Sequence, residues 1–531
     1  MKKKKSPWMG FPFFVLIFSA YPSLALLAAN IREVEADVVL RPLLASLLVA
    51  ALLVVGLRAV FKNWIAASLA TTIMLIPFFS YGHITRMVSD RLDPGFYTVT
   101  QITIFLILGG LTILAIRQTL RKGSSLQNWT GPANMIAVGL ILVPLVKIFS
   151  FGSGAGPASS QVYVTPTPIS APQGEAASPN TPGGNPSQYP DVYLIVLDGY
   201  SRADTLNTLG FDNSEFLNAL EDMGFYVASC SRSNYRHTLL SMSSAFNMDL
   251  LWRAIPNSGP TDANTAPLYE ALIHNPVRSD FEQRGYAIVG FQTGYKWDQW
   301  TDADYYLVSG GESQPADQAN VPSITPFEYI FLKNTAVYPF VEKSPLATQR
   351  YYRHYQQVNF TLNELPRVAA DIPGPKFVYA HIMSPHTPYI FLPDGSLNED
   401  SRFYNSETGT PSNPKLQVEG YVNNIRFLNS RMLTVLDEII KNSRIPPVII
   451  LQGDHGYVLE ERRYNNLMAF HFPNDGNASL YPTITPINTF RLVSNLYFGT
   501  DLELRNDASN ESDIGHPYLQ KRAAPFPETC P

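Results

Sequence analysis

Five apolar stretches crowd the first 150 residues, at about 9–29, 38–57, 64–81, 98–116 and 133–150. Each approaches the ~20 residues that cross a bilayer. Water offers this part of the chain no fold that hides so much apolar sequence, so residues 1–150 are predicted to form a transmembrane bundle of about five helices. The third stretch is the shortest of the five.

Basic residues orient the spans. Lys2 to Lys5 precede the first, Glu33, Glu35 and Asp37 follow it, and Arg58 and Lys62 sit in the second loop. Arg117, Arg121 and Lys122 lie in the fourth loop. This pattern puts the amino terminus in the cytoplasm. Five crossings then carry everything after residue 150 to the extracytoplasmic face of a cytoplasmic (inner) membrane. Arg86 and Arg91 in the third loop run against the rule, and His83 and Arg86 read as interfacial loop residues. A cleavable signal peptide is the rival reading of the first stretch, disfavoured because further spans follow at once. Arg41 lies near a span end, where its head can reach the interface. No ionisable residue inside a span marks a transport path. The bundle therefore reads as an anchor that presents a lipid substrate.

Residues 151–190 change character, with Gly152-Ser-Gly-Ala-Gly-Pro157, Thr165-Pro-Thr-Pro168 and Thr181-Pro-Gly-Gly-Asn-Pro186. So much Pro, Gly and Ser cannot bury a core, and a tether is predicted, an ordered surface loop being the alternative.

Residues 191–531 then alternate strand and helix patterns. Val192-Tyr-Leu-Ile-Val-Leu-Asp198-Gly-Tyr200 and Val448-Ile-Ile-Leu-Gln-Gly-Asp454-His455-Gly456 are apolar runs that end abruptly in a carboxylate. Such runs read as strands buried on both faces. Further strands are expected at 224–229, 286–291 and 376–381, and helices at 213–223, 238–251 and 421–441. The alternation predicts an α/β domain with a mainly parallel sheet between helices. The net charge of −5 comes without a basic stripe, which argues against nucleic acid as a partner. The two cysteines, Cys230 and Cys530, suit one disulfide or two free thiols equally.

In a parallel sheet, side chains just past the carboxyl ends of the strands meet ligands. Asp198, Asp454 and His455 on one rim offer oxygen and nitrogen donors to a divalent metal. Between the two strands lies Ser233-Asn-Tyr-Arg-His-Thr238-Leu-Leu-Ser241. A helix starting near Thr238 sets that hydroxyl among unpaired backbone N–H groups, a place that favours phosphate or sulfate oxygens. A metal beside it would depress the hydroxyl's pKa. Arg236 and His237 are placed to neutralise charge on a reacting group, and Asn234 to hydrogen-bond an ester oxygen. The bland readings are a helix cap for Thr238 and a turn for Asp198-Gly. Glu460, Glu461, Arg462 and Arg463 read as a solvated face, and His471 as structural.

Taken in order, these segments resemble the alkaline phosphatase/sulfatase superfamily over most of 190–500. The resemblance rests on Leu197-Asp198-Gly-Tyr200, Phe216-Leu-Asn-Ala-Leu-Glu-Asp-Met-Gly-Phe-Tyr-Val227, the Thr238 segment, His381-Ile-Met-Ser-Pro-His386-Thr-Pro-Tyr389 and Gly453-Asp454-His455-Gly456. With five preceding spans it is similar to the branch of lipoteichoic acid synthases and phosphoethanolamine transferases. The resemblance implies Thr238 as nucleophile, with Asp198, Thr238, Asp454 and His455 as ligands of one divalent metal (Mn, Zn, Mg or Ca). It implies that His386, with His381, contacts the transferred group or protonates the leaving oxygen. Asp at the first ligand position, where that branch tends to carry Glu, resembles nucleotide pyrophosphatases and phosphodiesterases instead. Formylglycine sulfatases need Cys/Ser-x-Pro-x-Arg, and Cys230-Ser-Arg-Ser-Asn234 lacks it.

The expected activity is a membrane-anchored, metal-dependent phosphoester transferase or hydrolase that moves a phospholipid headgroup to a surface acceptor. Hydrolysis of a soluble phosphodiester or sulfate ester is the second enzymatic reading. A non-catalytic surface-binding protein is the third.

Overall fold

The computed structural model describes residues 11–31, 34, 36–89, 97–121, 127–152, 189–255, 258–309, 324–342, 344–404, 410–411, 413–457 and 463–523. Most of the expected tether lies outside the described residues, as does Cys530. The chain divides into two compact units, Met1–Ala158 with Ser313–Arg350, and Ser159–Glu312 with Tyr351–Pro531.

In the first unit five apolar helices follow one another: Phe14–Asn30 (α1), Leu40–Phe61 (α2), Trp64–Ser89 (α3), Tyr97–Arg121 (α4) and Gln127–Gly152 (α5). Four of them, α2 to α5, are long and apolar enough to cross a membrane, whereas α1 is a shorter apolar helix of 17 residues. The shortest helix is thus the first and not the third. α3 runs to Ser89 because the helix continues through His83 and Arg86, which lie on it rather than in a loop. Leu106 is 67% exposed and Val143 73% exposed. Side chains of this kind, repeated along α2, α4 and α5, need an apolar surround that water does not supply.

The same unit takes in a segment that the sequence boundaries assigned to the soluble domain. The helix Pro326–Lys333 opens on a capping box between Thr325 and Glu328. Phe327 is buried with Leu27, Ile31 and Val39, and Glu328 pairs with Arg41 at 3.0 Å. The Gly82 N–H donates to the Asn334 carbonyl at 3.1 Å. A domain running unbroken over 191–531 therefore omits an excursion that packs on the helices. Apolar residues at Phe327 and Phe331 explain it, since α1 and α3 supply the surface that covers them.

The second unit is built on one sheet. Among the described residues its strands are Val192–Leu197 (β1), Tyr226–Val227 (β2), Ala287–Phe291 (β3), Tyr305–Leu307 (β4), Lys376–Ile382 (β5), Val448–Gly453 (β6) and Met468–His471 (β7). Their order is β2-β7-β6-β1-β5-β3-β4, with β6, β1, β5, β3 and β4 parallel and, at one edge, β7 antiparallel to its neighbours β6 and β2. Every residue of β1, β5 and β6 is buried, at about 1.5–3 kcal/mol for each large aliphatic side chain. Along β1, Tyr193, Ile195 and Leu197 pack on the side of the helices Pro345–Asp371 and Pro414–Asn442. Val192, Leu194 and Val196 face Thr238–Phe246, Pro276–Gln283 and Pro486–Phe498 on the other. The result is the expected α/β layering.

Two local expectations differ. The strand expected at 224–229 is reduced to two residues, pairing with β7 through Tyr226 and Val227. The helix expected over 238–251 ends at Phe246, where Asn247 caps it and Met248 turns to a positive φ of 54°. His471 is structural: its ring Nδ1 lies 2.8 Å from the Pro447 carbonyl.

Candidate active site

β1 lies between β5 and β6, with Leu197 level with Ile382 on one side and Gly453 on the other. The residues that follow these strands therefore meet at one rim. The Asp198 N–H donates to the Ile382 carbonyl at 3.0 Å. Gly199, at φ +73°, turns the chain so that its N–H donates to Asp454 Oδ1 at 2.8 Å. A β-carbon on Gly453 would stand 2.3 Å from the Tyr200 carbonyl oxygen, so only glycine brings Asp454 this close to β1. Ser241 Oγ donates to the Asp454 carbonyl at 2.6 Å, which ties the Thr238–Phe246 helix to the same turn.

What remains unbonded defines the site. Asp198 Oδ1, Asp454 Oδ2 and His381 Nε2 are buried and have no hydrogen-bond partner among the described residues. Ligand atoms of these three residues all lie within 4.8 Å of one another. Burial, and then the Asp454 charge, raises the Asp198 carboxyl above its ordinary range. Burial acts on Asp454 in the same sense, but His455 and His381 outweigh it and hold that carboxyl low. Two buried carboxylates with unbonded oxygens cost several kcal/mol unless a cation joins them (~3 kcal/mol or more for an uncompensated charge).

The His455 ring completes the surround. Its Nδ1 lies 2.8 Å from the Gly456 carbonyl and carries the proton there, which leaves the Nε2 lone pair for the site. Nε2 is 3.5 Å from Asp454 Oδ2, 3.9 Å from Asp198 Oδ1 and 3.5 Å from Thr238 Oγ1. Ligands at ~2.1 Å in a tetrahedron stand roughly 3.4 Å apart. The donor set and its spacing fit a divalent metal.

Thr238 is the first residue of its helix, with His237 in extended conformation before it. The helix start is where the sequence placed it, and the threonine hydroxyl faces His455 rather than capping its own helix. His386 hangs over the rim from the loop after β5: its N–H donates to the Asp198 carbonyl at 2.9 Å. Its ring Nδ1 is 2.9 Å from the Thr387 carbonyl, which leaves Nε2 open. The His386 and His455 rings flank Gly199, at 3.9 Å and 3.7 Å from a β-carbon built there.

Sequence reasoning missed Asp298. Its Oδ2 is 2.6 Å from His381 Nδ1 and its Oδ1 accepts from the Tyr379 hydroxyl at 2.6 Å. Burial would lower the His381 pKa, but the Asp298 carboxylate more than offsets this and pushes it up to about 9. Carboxylate-to-histidine support of this kind orients a metal-binding ring. His381 is therefore grouped with the two carboxylates and does not reach out toward a substrate. No local signal near Asp298 announced this, since its partner lies 83 positions away.

Three other expectations are corrected by packing. Asn234 is consumed by the scaffold: its Nδ2 donates to the Ala508 carbonyl at 2.8 Å and its Oδ1 accepts from the Ile487 N–H at 3.2 Å. Fully buried and held on both sides of its amide, it belongs to the scaffold rather than to a face open to an ester oxygen. His237 is pushed down to about 4 by burial, then by Arg463 and His455, so at neutral pH it brings no charge. Arg463 is not part of a solvated face; its Nε is buried, and its backbone carbonyl accepts from the Gly456 N–H at 2.7 Å. Arg236 stands beside it, its Cζ 5.7 Å from the Tyr464 ring centre. Cys230 is fully buried and disulfide-bonded, so its sulfur is not open to conversion into formylglycine.

Residues 283–518 match the model of the Sulfatase family. None of the curated proteins matches the chain. Among solved structures the chain is similar to the integral membrane lipooligosaccharide phosphoethanolamine transferase A of Neisseria meningitidis, at 13% identity over 92% of this chain and 96% of that one, TM-score 0.38. It is also similar to the periplasmic domain of EcEptC from Escherichia coli in complex with Zn, at 14% identity over 60% and 85%, TM-score 0.36. The lipoteichoic acid synthase LtaP of Listeria monocytogenes is a third, at 13% identity over 62% and 76%, TM-score 0.35. These likenesses are distant, and the chemistry below is argued from the site. The matched segment holds His381, His386, Asp454 and His455, so this part of the chain is similar to the Sulfatase family in line with its motifs.

Proposed function

We propose that this protein is a membrane-anchored, metal-dependent phosphoester transferase or hydrolase that uses Thr238 as nucleophile. The observation that carries the reading is the position of Thr238 Oγ1, 3.5 Å from His455 Nε2 and beside the unbonded oxygens of Asp198 and Asp454. Asp198, Asp454 and His455, with His381 and the Thr238 oxygen, would hold one divalent ion, which would lower the hydroxyl pKa and offset negative charge on the ester.

Thr238 Oγ, its proton released to solvent, attacks phosphorus as an alkoxide, forming an O–P bond as the bond to the leaving alcohol breaks. His386 in its imidazolium form, with Nδ1 held by the Thr387 carbonyl, gives its Nε2 proton to the departing oxygen. The first turn of the Thr238–Phe246 helix presents backbone N–H groups to the phosphoryl oxygens. An acceptor hydroxyl, or water, then attacks the phosphothreonine, its proton passing to His386 Nε2, and Thr238 leaves phosphorus as the alkoxide that began the cycle. Span-length helices on the same chain support a lipid as donor, with the catalytic unit on the extracytoplasmic side. That assignment agrees with the motif resemblance to lipoteichoic acid synthases and phosphoethanolamine transferases.

The test uses full-length protein in membranes with a phosphodiester lipid, a soluble phosphodiester and a sulfate ester, each with Mn, Zn, Mg and Ca. Metal-dependent phosphate-ester cleavage, with a phosphoryl adduct trapped on the Thr238 peptide, is expected. Equal turnover by a Thr238→Ala variant would remove the mechanism, and preference for the sulfate ester would replace phosphorus by sulfur.

A further inference from the structure

The loop that carries His386 leaves the sheet at the end of β5 and is gripped by a helix that supplies none of the proposed metal ligands. That helix, Pro414–Asn442, packs on one face of the sheet. Asn424 is fully buried on it. Its Nδ2 donates to the Pro385 carbonyl at a long 3.5 Å, and its Oδ1 accepts from the Phe391 N–H at 3.1 Å. The two contacts lie on either side of His386, so one amide holds both arms of the loop. Phe427, three residues on, stacks on the Phe391 ring with centres 4.1 Å apart. The orientation of the His386 ring is set inside the loop, by the 2.9 Å contact of Nδ1 with the Thr387 carbonyl. The ring therefore goes where the loop goes.

Gly420 stands four residues before Asn424 on the same helix face. A β-carbon there would come 2.6 Å from Tyr389 Cβ, so glycine lets the helix close on the loop just after His386. Tyr421, next to Gly420, holds the other side of the gap. Its hydroxyl donates to the Gly199 carbonyl at 2.8 Å and accepts from the Ser201 N–H at 3.0 Å, in the turn that follows Asp198. One helix face thus grips both the Asp198 turn and the His386 loop. A site held on a rigid element keeps its geometry better than one left to a loop alone.

We propose that Asn424, with Gly420 beside it, is a positioning residue for the proton donor: it holds the His386 loop where Nε2 reaches the leaving oxygen, and it touches neither ester nor metal. This rests on the phosphoester reading above and names the part of the fold that sets its acid step. Proton transfer needs heavy atoms about 2.6–3.2 Å apart, so a loop freed at Pro385 and Phe391 loses that step first.

The test compares leaving groups on metal-loaded full-length protein in detergent micelles. 4-Nitrophenyl hexadecyl phosphate releases a phenolate that needs no proton, whereas benzyl hexadecyl phosphate releases an alkoxide that does. Asn424→Ala is expected to lose at least about tenfold on the benzyl ester and less than about twofold on the nitrophenyl ester, part of the ~10²–10⁴ that general acid catalysis supplies. A ratio of two turnovers from one preparation does not depend on how much of it is folded. Gly420→Ala pushes on Tyr389 instead of freeing Pro385 and should give the same signature. In a His386→Ala background, Asn424→Ala should change the ratio no further. Equal losses on both esters, or a further change without the histidine, would overturn the positioning role and leave the phosphoester reading standing. A His386→Ala protein with no leaving-group preference of this kind would overturn the donor and its positioning together. Cleavage of neither ester by the unaltered protein would overturn the phosphoester reading and this proposal with it.

Discussion

Asp298 Oδ2 lies 2.6 Å from His381 Nδ1, and both side chains are fully buried. The pair points the opposite ring nitrogen of His381 at Asp198 and Asp454, to which it is joined as a possible metal ligand. The Asp298 carboxylate thus sets the orientation and the basicity of the His381 ring.

Replacing that carboxylate by an amide keeps its size and removes its charge. Asp298→Asn is expected to weaken metal affinity by about 10–100-fold, read by metal titration of the purified protein. Unaltered affinity in a folded Asp298→Asn protein would mean that His381 is not a ligand.

The same pair makes the metal-free protein sensitive to pH. The His381 pKa is raised to about 9 in the fold, against about 6.5 for a free imidazole. The stabilisation it brings is therefore fully present below about pH 6.5 and lost as pH rises through about 9. Tm of the metal-stripped protein should fall across that interval, and Asp298→Asn should flatten the fall. Metal must displace the His381 proton, so apparent metal affinity should climb with pH up to about 9 and level off above it.

Thr238→Ala is expected to lose at least about a thousandfold in turnover while the protein still binds metal through Asp198, Asp454 and the histidines. Thr238→Ser keeps an oxygen at that point and should retain part of the activity. Steady-state turnover paired with metal titration separates loss of the nucleophile from loss of the ion.

Gly453→Ala puts a methyl group 2.3 Å from the Tyr200 carbonyl. The turn that carries Asp454 must shift, at a cost of about 1–3 kcal/mol. Thermal unfolding should register the loss, and metal affinity should drop with it because Asp454 is the next residue. A variant with normal Tm and normal metal binding would show that the close approach is dispensable.

Much of the frame was legible in the chain because burial leaves local marks. The β1 and β6 runs are apolar on both faces, and a strand with no polar face has to be internal. Asp198, Asp454 and His455 break those runs at their carboxyl ends, so their place on the rim followed from the strands alone. The Thr238 helix start and the apolar helices were readable for the same reason: each is a pattern within about twenty residues. The limits of α3 were not, because His83 and Arg86 have polar side chains but continue the helix, where packing on the 326–341 segment outweighs their polarity.

Other assignments depended on partners distant along the chain. Asn234 has the right chemistry for an ester oxygen, but Ile487 and Ala508 use both halves of its amide. Arg463 sits in a run of charges that looks solvated until the Gly456 hydrogen bond draws it beside the site. Asp298 carries no mark of its role at all.

The sequence by itself determined the two-part architecture, the parallel strands and the residues at their ends, since hydrophobic periodicity is a local property of the chain. Only the tertiary structure decided which polar groups remain unsatisfied after folding, and so which ones are left to bind. Hydrogen-bond satisfaction is settled by neighbours in space: Asn234 was spent, and Asp198 Oδ1, Asp454 Oδ2 and His381 Nε2 were left open to one another.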